Sequence, residues 1–382
     1  MVQTASDRLP ALEQALVERA RDLALFLVYD RPGRASERPG LERTFFAQRC
    51  VSDEQLTQTI EAFREVGAYV ELFEGERPLL EALADGRLQR LPRTLKLIYN
   101  GIEGGIAVDG FAPGRKALIP SVADSYGVGC ANSNAYACAL GRHKFHYFTV
   151  LRALGLRTPR VWHYRSSGEW AGGLMPPAGT RVIAKSTYES WSVGVTEDSI
   201  FVVDETLEER VGRIAEAIGQ AVTVQEFVPG TEVCVPVLAC PDPIVTPPVE
   251  AVLAKAPGDA DAVMTIDDNL LHLGVTYRLF DTAPSVLEEL TAMSVAAFSV
   301  LELEAFARID FRVDRSGRPW IIDIGVSPGL SRGSSSFHSL SLVGFDHASF
   351  LRVVIAATLA THGALPQFSR QNSTSGIRNP RP

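Results

Sequence analysis

Cysteine is scarce in this sequence, which has five cysteines among 382 residues. They form no CxxC pair and no Cys/His spacing typical of a metal site. Their odd number in a chain of this length also argues against a disulfide framework, because such frameworks stabilise small secreted domains. We expect buried free thiols at Cys50, Cys130, Cys138, Cys234 and Cys240.

An excess of positive charge and long apolar runs are also missing. The formal net charge of -8 argues against a nucleic-acid partner, since neutralising a phosphate backbone requires a basic face. The most apolar run, Leu23 to Tyr29, is too short to cross a membrane and is typical of a core strand. No basic segment followed by a long apolar stretch opens the sequence. We therefore expect neither a signal peptide nor a membrane partner, and a cytoplasmic protein is the default.

The residues that are present indicate a globular protein. Apolar residues make up 46% of the chain and charged residues 21%, which is too apolar for disorder. The N-terminal third alternates predicted strands with helices, such as the helix from Ser52 to Gly67, and this pattern indicates a parallel α/β sheet. Ligands of such sheets lie beyond the carboxyl ends of the strands, where Asn100 to Gly105 follows a predicted strand.

The chain is long enough for two or three domains. We predict an N-terminal α/β domain over residues 1–140 and a central subdomain over 141–232. A C-terminal subdomain over 233–365 and a disordered, polar tail over 366–382 complete the prediction. Both later subdomains mix strands and helices, so the fold class is α/β with α+β parts.

The segment from Ala307 to Gly329 contains two alternating apolar runs around a turn at 314–317, a pattern that predicts a β-hairpin. If Val313 faces Arg318, then Arg308 lies opposite Asp323 and Asp310 lies opposite Ile321. One face then presents four charged residues: Arg308, Asp310, Arg312 and Asp323. The other face packs the apolar residues into a core: Ile309, Phe311, Val313, Trp320, Ile322 and Ile324. The charged face suits Mg²⁺ and phosphate, and the alternative is a solvated, salt-bridged sheet face.

Two further segments have patterns suited to a nucleotide. The strand ending in Lys185 is followed by a hydroxyl-rich loop through Val195, which suits a flexible cover over phosphates, although the P-loop spacing is absent. The strand that ends at Val228 runs into Pro-Gly with Glu232 after it, an arrangement that can stack adenine and bind ribose hydroxyls. The alternatives are an exposed lysine beside an ordinary turn, and an ordinary hairpin with a solvated acid.

In this order the three motifs resemble the ATP-grasp superfamily and, within it, the D-alanine–D-alanine ligase family. The resemblance also includes residues 100–104, 115–120, 141–144 and 155–159, and it spans roughly residues 95–345. It implies an ATP-grasp fold, in which an N-terminal parallel α/β domain precedes two α+β subdomains that clasp ATP. It further implies an ATP-dependent ligase that forms C–N bonds between small-molecule carboxylate and amine substrates. ATP with one or two Mg²⁺ ions would be the cofactors, and the expected assembly is a homodimer.

The resemblance also implies roles for individual residues. The ATP-binding set would be Lys144, Lys185, Glu189, Ser192, Glu226, Phe227, Val228 and Glu232. Asp310 and Asp323 would hold Mg²⁺, while Arg308 and the backbone N–H of Gly329 would stabilise the tetrahedral centre of acyl transfer. The substrate-binding set would include Ser334 for the acceptor's carboxylate and Glu103, with Glu37 and Glu42 as candidates for the first substrate's amine.

Several positions depart from the family pattern. Gly325 stands where the family has a metal-binding asparagine, Asp323 replaces a longer glutamate, and Trp191 occupies a loop position that is usually small. Residues 264–269 stand where the family has a loop rich in tyrosine and lysine. We therefore expect substrates other than two D-alanines and a second Mg²⁺ that is absent or loosely held. Alternatively, Gly325 is present because its backbone adopts a positive φ.

The implied mechanism has two steps. A substrate carboxylate attacks the γ-phosphate of ATP to give an acyl phosphate and ADP, and an amine then expels phosphate to form the amide. Two alternatives stay open. One is an ATP-grasp enzyme for a dedicated specialised metabolite, including ring closure within one molecule. The other is a non-catalytic nucleotide-binding protein with a degenerate site.

Overall fold

The structure, a computed structural model, describes residues 5–33, 45–102, 113–271, 274–365 and 368. The candidates Glu103, Glu37 and Glu42 and most of the predicted tail lie outside the described residues. Within the described residues no helix is long and apolar enough to span a membrane. All five cysteines are free thiols, and all except the half-buried Cys50 are buried, as the sequence predicts.

Helices and strands alternate through most of the described chain. The helices are α1 (Ala5–Arg19), α2 (Phe46–Arg49), α3 (Asp53–Arg64), α4 (Glu76–Ala84), α5 (Leu118–Ser125), α6 (Ala135–Leu140), α7 (Lys144–Ala153), α8 (Leu207–Ile218), α9 (Ile266–Leu271), α10 (Pro284–Val300), α11 (Ser335–Ser341) and α12 (His347–Thr361). The strands are β1 (Leu23–Tyr29), β2 (Tyr69–Glu74), β3 (Leu95–Gly101), β4 (Gly129–Cys130), β5 (Val161–Tyr164), β6 (Arg181–Ser186), β7 (Ile200–Val202), β8 (Val222–Glu226), β9 (Thr231–Leu238), β10 (Ile244–Val245), β11 (Val249–Leu253), β12 (Val275–Leu279), β13 (Phe306–Val313) and β14 (Pro319–Gly325).

The N-terminal sheet is parallel, in the order β2-β1-β3-β4, which confirms the parallel α/β prediction. Its central strand β1 is buried along its whole length, as expected for a strand covered on both faces. Helix α3 begins at a complete capping box, in which Ser52 accepts from the N–H of Gln55 and the Gln55 side chain accepts from the N–H of Ser52. The predicted helix start at Ser52 is therefore confirmed, with Ser52 as its N-cap.

The central sheet is antiparallel, in the order β5-β8-β6-β7. Helix α8 packs its buried Leu207, Val211 and Ile218 onto the apolar cluster of this sheet. Lys185 occupies the second-last position of β6, so the sheet presents its ammonium at the edge where the loop over residues 187–195 begins.

The third sheet is antiparallel, in the order β12-β11-β9-β13-β14, with β10 paired to β9. The alternating residues Val233, Val235 and Val237 of β9 join one buried cluster with α7 and α10, which follows from the period-two alternation of strands. Strand β9 begins at Thr231 and spans the predicted boundary between residues 232 and 233. The domain boundaries stay predictions.

The register predicted for the hairpin of β13 and β14 is wrong. Arg308 lies opposite Gly325, and Asp310 lies directly opposite Asp323, whereas we expected Arg308 opposite Asp323. One cause is a β-bulge where the register shifts between Asp310 and Phe311, because a bulge sets two residues of one strand against one of the other. The bulge therefore brings the two carboxylates face to face.

The second cause of the register error is a longer turn. Val313 pairs with Pro319 rather than with Arg318. The Asp314 carboxylate accepts hydrogen bonds from the backbone N–H groups of Ser316 and Arg318, at 2.9 and 3.1 Å. This side-chain capping stabilises a loop that includes Arg318, so the ladder begins one residue later than the composition of the turn indicated.

The bulge also changes which side chains of β14 reach the core. Ile321, not Ile322, packs in the apolar cluster with Phe311, while Ile322 lines the charged side of the hairpin. Trp320 lies outside that cluster, with the Arg157 guanidinium 5.9 Å from its ring centroid. The predicted core positions of Trp320 and Ile322 are therefore wrong, because one extra residue reverses the alternation of faces.

Candidate active site

One cleft collects the side chains that the sequence singles out. It is lined by residues of the central and third sheets, by the loop over residues 187–195 and by the segment over 325–335. Every predicted site residue within the described part of the chain lines it: Lys144, Lys185, Glu189, Ser192, Glu226, Phe227, Val228, Glu232, Arg308, Asp310, Asp323, Gly329 and Ser334. The roles expected for these residues stay predictions.

Two lysines extend into the cleft beside Asp323. Lys144 begins α7, and its Nζ donates to the backbone carbonyl of Glu189 at 2.5 Å and lies 3.7 Å from Asp323 Oδ2. Lys185 Nζ donates to the carbonyl of Ile322 at 3.3 Å. Burial lowers the pKa of Lys185, although the nearby Asp323 carboxylate opposes the shift. Conversely, burial raises the pKa of Asp323, but the two lysines together with the hydrogen bonds from Tyr147 and the Ile324 N–H outweigh it, and the net pKa is lowered.

The second carboxylate, Asp310, forms a bidentate ion pair on its own strand. Arg308 Nε and Nη2 donate to its two oxygens at 2.6 and 2.7 Å, a fork geometry that adds strength and direction. Burial raises the pKa of Asp310, Arg308 opposes this, and Asp323 raises it further. Burial works against the Arg308 charge, but Asp310 outweighs it and raises the pKa of the guanidinium.

The opposed carboxylates are the candidate metal ligands. No group of three or more histidine, cysteine or acidic side chains suited to a metal ion occurs among the described residues. Two carboxylates in direct register nevertheless fit one Mg²⁺, which takes one or two carboxylates and fills its other positions with phosphate oxygens and water. Asp323 also accepts from the Tyr147 hydroxyl at 2.5 Å, so one of its oxygens is already oriented.

The backbone of Gly325 does not require glycine. Its φ is not positive, so the alternative explanation, that glycine is needed here for a left-handed backbone, is wrong. A Cβ at this position would lie 3.6 Å from both the Cβ and the carbonyl oxygen of Arg308, which is ordinary van der Waals contact. The site therefore has room for a Cβ at the position where the family pattern has asparagine.

The loop over residues 187–195 is attached to the N-terminal part of the chain through Glu189. Arg49 Nη1 lies 2.8 Å from one carboxylate oxygen of Glu189, and Arg115 Nη1 lies 2.9 Å from the other. All three side chains are 1% exposed. The Glu189 carboxylate is thus held between two guanidinium groups, and its backbone carbonyl accepts from Lys144.

The adenine and ribose candidates lie at the end of β8. Two guanidinium groups lie near the ring of Phe227, with the carbon of Arg181 4.4 Å and that of Arg312 5.1 Å from its centroid. The Glu226 carboxylate pairs with Arg160 at 2.9 Å, and its N–H donates to the Arg160 carbonyl. The Glu226 N–H is therefore already occupied by a backbone carbonyl.

Arg312 is buried beneath the segment that joins β8 to β9. Its guanidinium donates to the carbonyls of Ala260 at 2.9 Å and of Ala262, and it lies 3.5 Å from Glu232 Oε2. Gly230 in this segment has φ 156°, and a Cβ there would lie 2.3 Å from the Val313 carbonyl oxygen. Close backbone packing thus requires glycine, and Arg312 positions Glu232 at the cleft.

The acceptor side of the cleft includes Gly329 and Ser334. Ser334 is the N-cap of α11, accepts from the Phe337 N–H at 3.2 Å and donates to the Ser331 carbonyl at 2.8 Å. Its neighbour Ser335 accepts from Arg308 Nη1 at 3.3 Å. The hydroxyl of Ser334 is therefore engaged in helix capping, and Arg308 connects this segment to Asp310.

Three contributions to the site were not foreseen from the sequence. Tyr147 lies three residues after Lys144 on one helix, and this spacing places both on the same face, so the pattern contained a usable signal. Arg312 was placed on the charged face of the hairpin, but no role followed from that placement. The pairing of Arg49 with Glu189 spans 140 residues of sequence, and no local pattern could reveal it.

The chain is similar in sequence to known proteins. A family model described as "D-ala D-ala ligase C-terminus" matches residues 164–356, just over half of the chain. An uncharacterized protein of Sinorhizobium fredii is 27% identical over 78% of this chain and 84% of its own length. A D-alanine–D-alanine ligase of Methylococcus capsulatus is 25% identical over 82% of this chain and 93% of its own length.

Solved structures show the same fold. The crystal structure of D-alanine–D-alanine ligase from Bacillus anthracis complexed with ATP aligns with a TM-score of 0.60 and 14% identity, over 89% of this chain and 99% of that one. The ligase from Coxiella burnetii aligns with a TM-score of 0.56 over 91% of this chain and 97% of that one. The protein therefore has the ATP-grasp fold of ATP-dependent ligases. It belongs to the D-alanine–D-alanine ligase family.

Proposed function

We propose that this protein is an ATP-dependent carboxylate–amine ligase that joins small amino acids or their derivatives through an acyl phosphate. The observation that supports this most directly is the grouping in one cleft of two lysines, two opposed aspartates and the half-buried Arg308. Lysines neutralise phosphate charge, carboxylates suit Mg²⁺, and an arginine stabilises a developing oxyanion. A substrate pair other than two D-alanines is part of the proposal.

The nucleotide would lie between the central and third sheets. Lys144 and Lys185 would neutralise its phosphates, and the loop with Glu189 and Ser192 would cover them. The adenine would lie beside Glu226, Phe227 and Val228, and Glu232 would accept from the ribose hydroxyls. This arrangement uses the edge of β6, the end of β8 and the start of β9.

The acyl centre would lie near Asp310 and Asp323. These carboxylates would hold Mg²⁺, which when bound supplies positive charge beside the phosphate oxygens. The donor carboxylate attacks the γ-phosphorus and ADP leaves, which gives an acyl phosphate. The amine then attacks the acyl carbon, and Arg308 with the Gly329 N–H stabilises the oxyanion until phosphate leaves and the amine proton is released. Ser334 and Glu103 would contact the substrates.

The test is a screen of amino-acid pairs for ADP release, with mass spectrometry of the product. We expect ADP and an amide in equal amounts with at least one pair of small amino acids. A single acid that yields ADP and loses the mass of water would identify ring closure within one molecule. Tight binding of MgATP without ADP release for any pair would instead identify a nucleotide-binding protein without ligase activity.

The first prediction concerns Lys185, a half-buried side chain of the cleft whose ammonium donates to the Ile322 carbonyl. Lys185→Ala should weaken MgATP binding by about ten- to hundredfold, because a hydrogen bond to a charged group contributes about 1.5–3 kcal/mol. Isothermal titration calorimetry measures the effect. Lys96→Ala is the matched control, since Lys96 lies on β3 and donates to the Gln89 carbonyl at 2.6 Å. Unchanged MgATP affinity in Lys185→Ala would rule out this lysine as a phosphate ligand.

The second prediction concerns Gly325. A site without an amide oxygen here should require free Mg²⁺ well above the amount that saturates ATP, because Mg²⁺ demands six oxygen ligands. Since a Cβ fits at this position, Gly325→Asn should lower the Mg²⁺ concentration for half-maximal rate by about tenfold. Titration of Mg²⁺ at fixed MgATP measures this, and Gly325→Ala controls for the added Cβ. Full wild-type activity at Mg²⁺ equimolar with ATP would contradict the idea of a loosely held ion.

A further inference from the structure

Trp191 lies on the wall of the cleft against Gly329. The Cζ2 atom of its indole ring is 3.9 Å from the position that a Cβ on Gly329 would take. Both residues line the cleft together with Arg308. A Cβ on Gly329 would therefore just reach van der Waals contact with the ring, so the gap between the ring edge and the Gly329 backbone is too narrow for a layer of substrate atoms.

The backbone conformation of the loop sets the direction in which the Trp191 side chain extends. Trp191 has φ 62° and Ser192 has φ 57°, two consecutive left-handed residues in a region that bulky side chains rarely adopt. Such a conformation persists only where the surroundings determine it. Here Ser190 Oγ accepts from Arg142 Nη1 at 2.8 Å, and Ser192 Oγ accepts from Asn269 Nδ2 at 2.7 Å. The residues on both sides of Trp191 are thus fixed.

We propose that Trp191 is a specificity-determining residue that restricts the carboxylate substrate to a small substituent on the carbon next to its carboxyl group. This inference rests on the proposed function, which places the acyl carbon beside Gly329 and Arg308. A substituent on the adjacent carbon needs the volume next to that centre, and the indole ring already fills it. Hydrogen or methyl fits there, whereas a branched or aromatic side chain meets the ring.

The test compares wild-type protein with Trp191→Ala and Trp191→Phe. Glycine, alanine, leucine and phenylalanine, each as available enantiomers, are supplied as the acid, with alanine as the amine and MgATP saturating. In Trp191→Ala we expect kcat/KM for leucine and phenylalanine to rise at least tenfold relative to alanine, because the ring no longer blocks the substituent. Trp191→Phe keeps a ring at the contact and should retain the wild-type order of preference. MgATP affinity, measured by calorimetry, should stay within about threefold in both variants, which separates a specificity effect from a collapsed loop.

A second measurement separates failure of this inference from failure of the proposed function. Binding of the same acids is measured by calorimetry in the presence of MgADP, which requires no turnover. The inference is supported if wild-type protein binds glycine or alanine more tightly than the larger acids and Trp191→Ala loses this preference. This result would support it even if no pair releases ADP. The same order of preference in wild-type protein and Trp191→Ala overturns it, and so does the absence of binding of every acid to both forms.

Discussion

Glu189→Gln should lower the free energy of unfolding by about 3–5 kcal/mol, the scale for breaking a buried ion pair by removing one partner. The wild-type carboxylate lies 2.8 Å from Arg49 and 2.9 Å from Arg115, and all three side chains are 1% exposed. Glutamine has the same shape but no charge, so two buried guanidinium groups lose their counter-charge. Urea denaturation followed by circular dichroism and tryptophan fluorescence measures the loss.

Glu209→Gln is the matched control for this experiment. Glu209 pairs with Arg213 at 2.7 Å, but both side chains are 66% exposed, so the change should stay within about 1 kcal/mol. The comparison also separates two roles for Glu189. If its carboxylate only attaches the loop to the N-terminal part of the chain, Glu189→Gln lowers the free energy of unfolding far more than Glu209→Gln does. If it contacts the nucleotide as the family resemblance implies, Glu189→Gln lowers MgATP affinity, and its free energy of unfolding stays close to that of Glu209→Gln.

The sequence predicts elements well where their determinants are local. The helix start at Ser52 and the wholly apolar run of β1 each depend on one short segment, and the sequence predicted both. Strand β6 and its lysine near the strand end followed in the same way from a short apolar run. Such features depend on residues that are adjacent in sequence, so a short stretch of sequence is enough to predict them.

The register of the hairpin of β13 and β14 could not be predicted from the local sequence pattern. Its two strands were predicted, but the register depends on a bulge at Asp310 and on the hydrogen bonds of Asp314. Alternation of apolar residues does not encode either feature, since a bulge preserves the composition of both strands while it shifts their pairing. The error matters for function, because the true register opposes Asp310 to Asp323 and gives Arg308 a different partner.

Contacts between distant segments were not predictable in this way. Arg49 and Arg115 meet the Glu189 carboxylate across 140 and 74 residues of sequence. A buried arginine has no sequence signature of its own, because arginine is mostly exposed unless it is paired. The set of cleft residues was found through its resemblance to a family, whereas the ion pairs that hold the loop became visible only in the structure.

Arg308→Met should lower turnover by about 10²–10³-fold, the scale for loss of one oxyanion donor, while MgATP affinity changes by less than about threefold. The guanidinium pairs with Asp310 through Nε and Nη2 and reaches Ser335 through Nη1 at 3.3 Å. The pair fixes the guanidinium beside the segment that contains Gly329, so its charge is already in place when the tetrahedral centre forms. Methionine keeps the length and apolar stem of arginine but offers no donor.

The competing explanation is that Arg308 serves only to neutralise Asp310. Removal of the arginine would then leave Asp310 as an unpaired buried carboxylate. Burial already raises the pKa of Asp310, so binding of Mg²⁺ at the candidate metal site would weaken together with turnover. Arg308→Lys separates the explanations, since lysine restores the charge but not the fork that binds both oxygens of Asp310. Wild-type turnover in Arg308→Lys would show that charge neutralisation suffices. Wild-type MgATP affinity in both variants, with turnover still low in Arg308→Lys, would place Arg308 at the transition state. Arg318→Met, at a side chain that is 62% exposed in the same hairpin, should change neither quantity and controls for loss of an arginine.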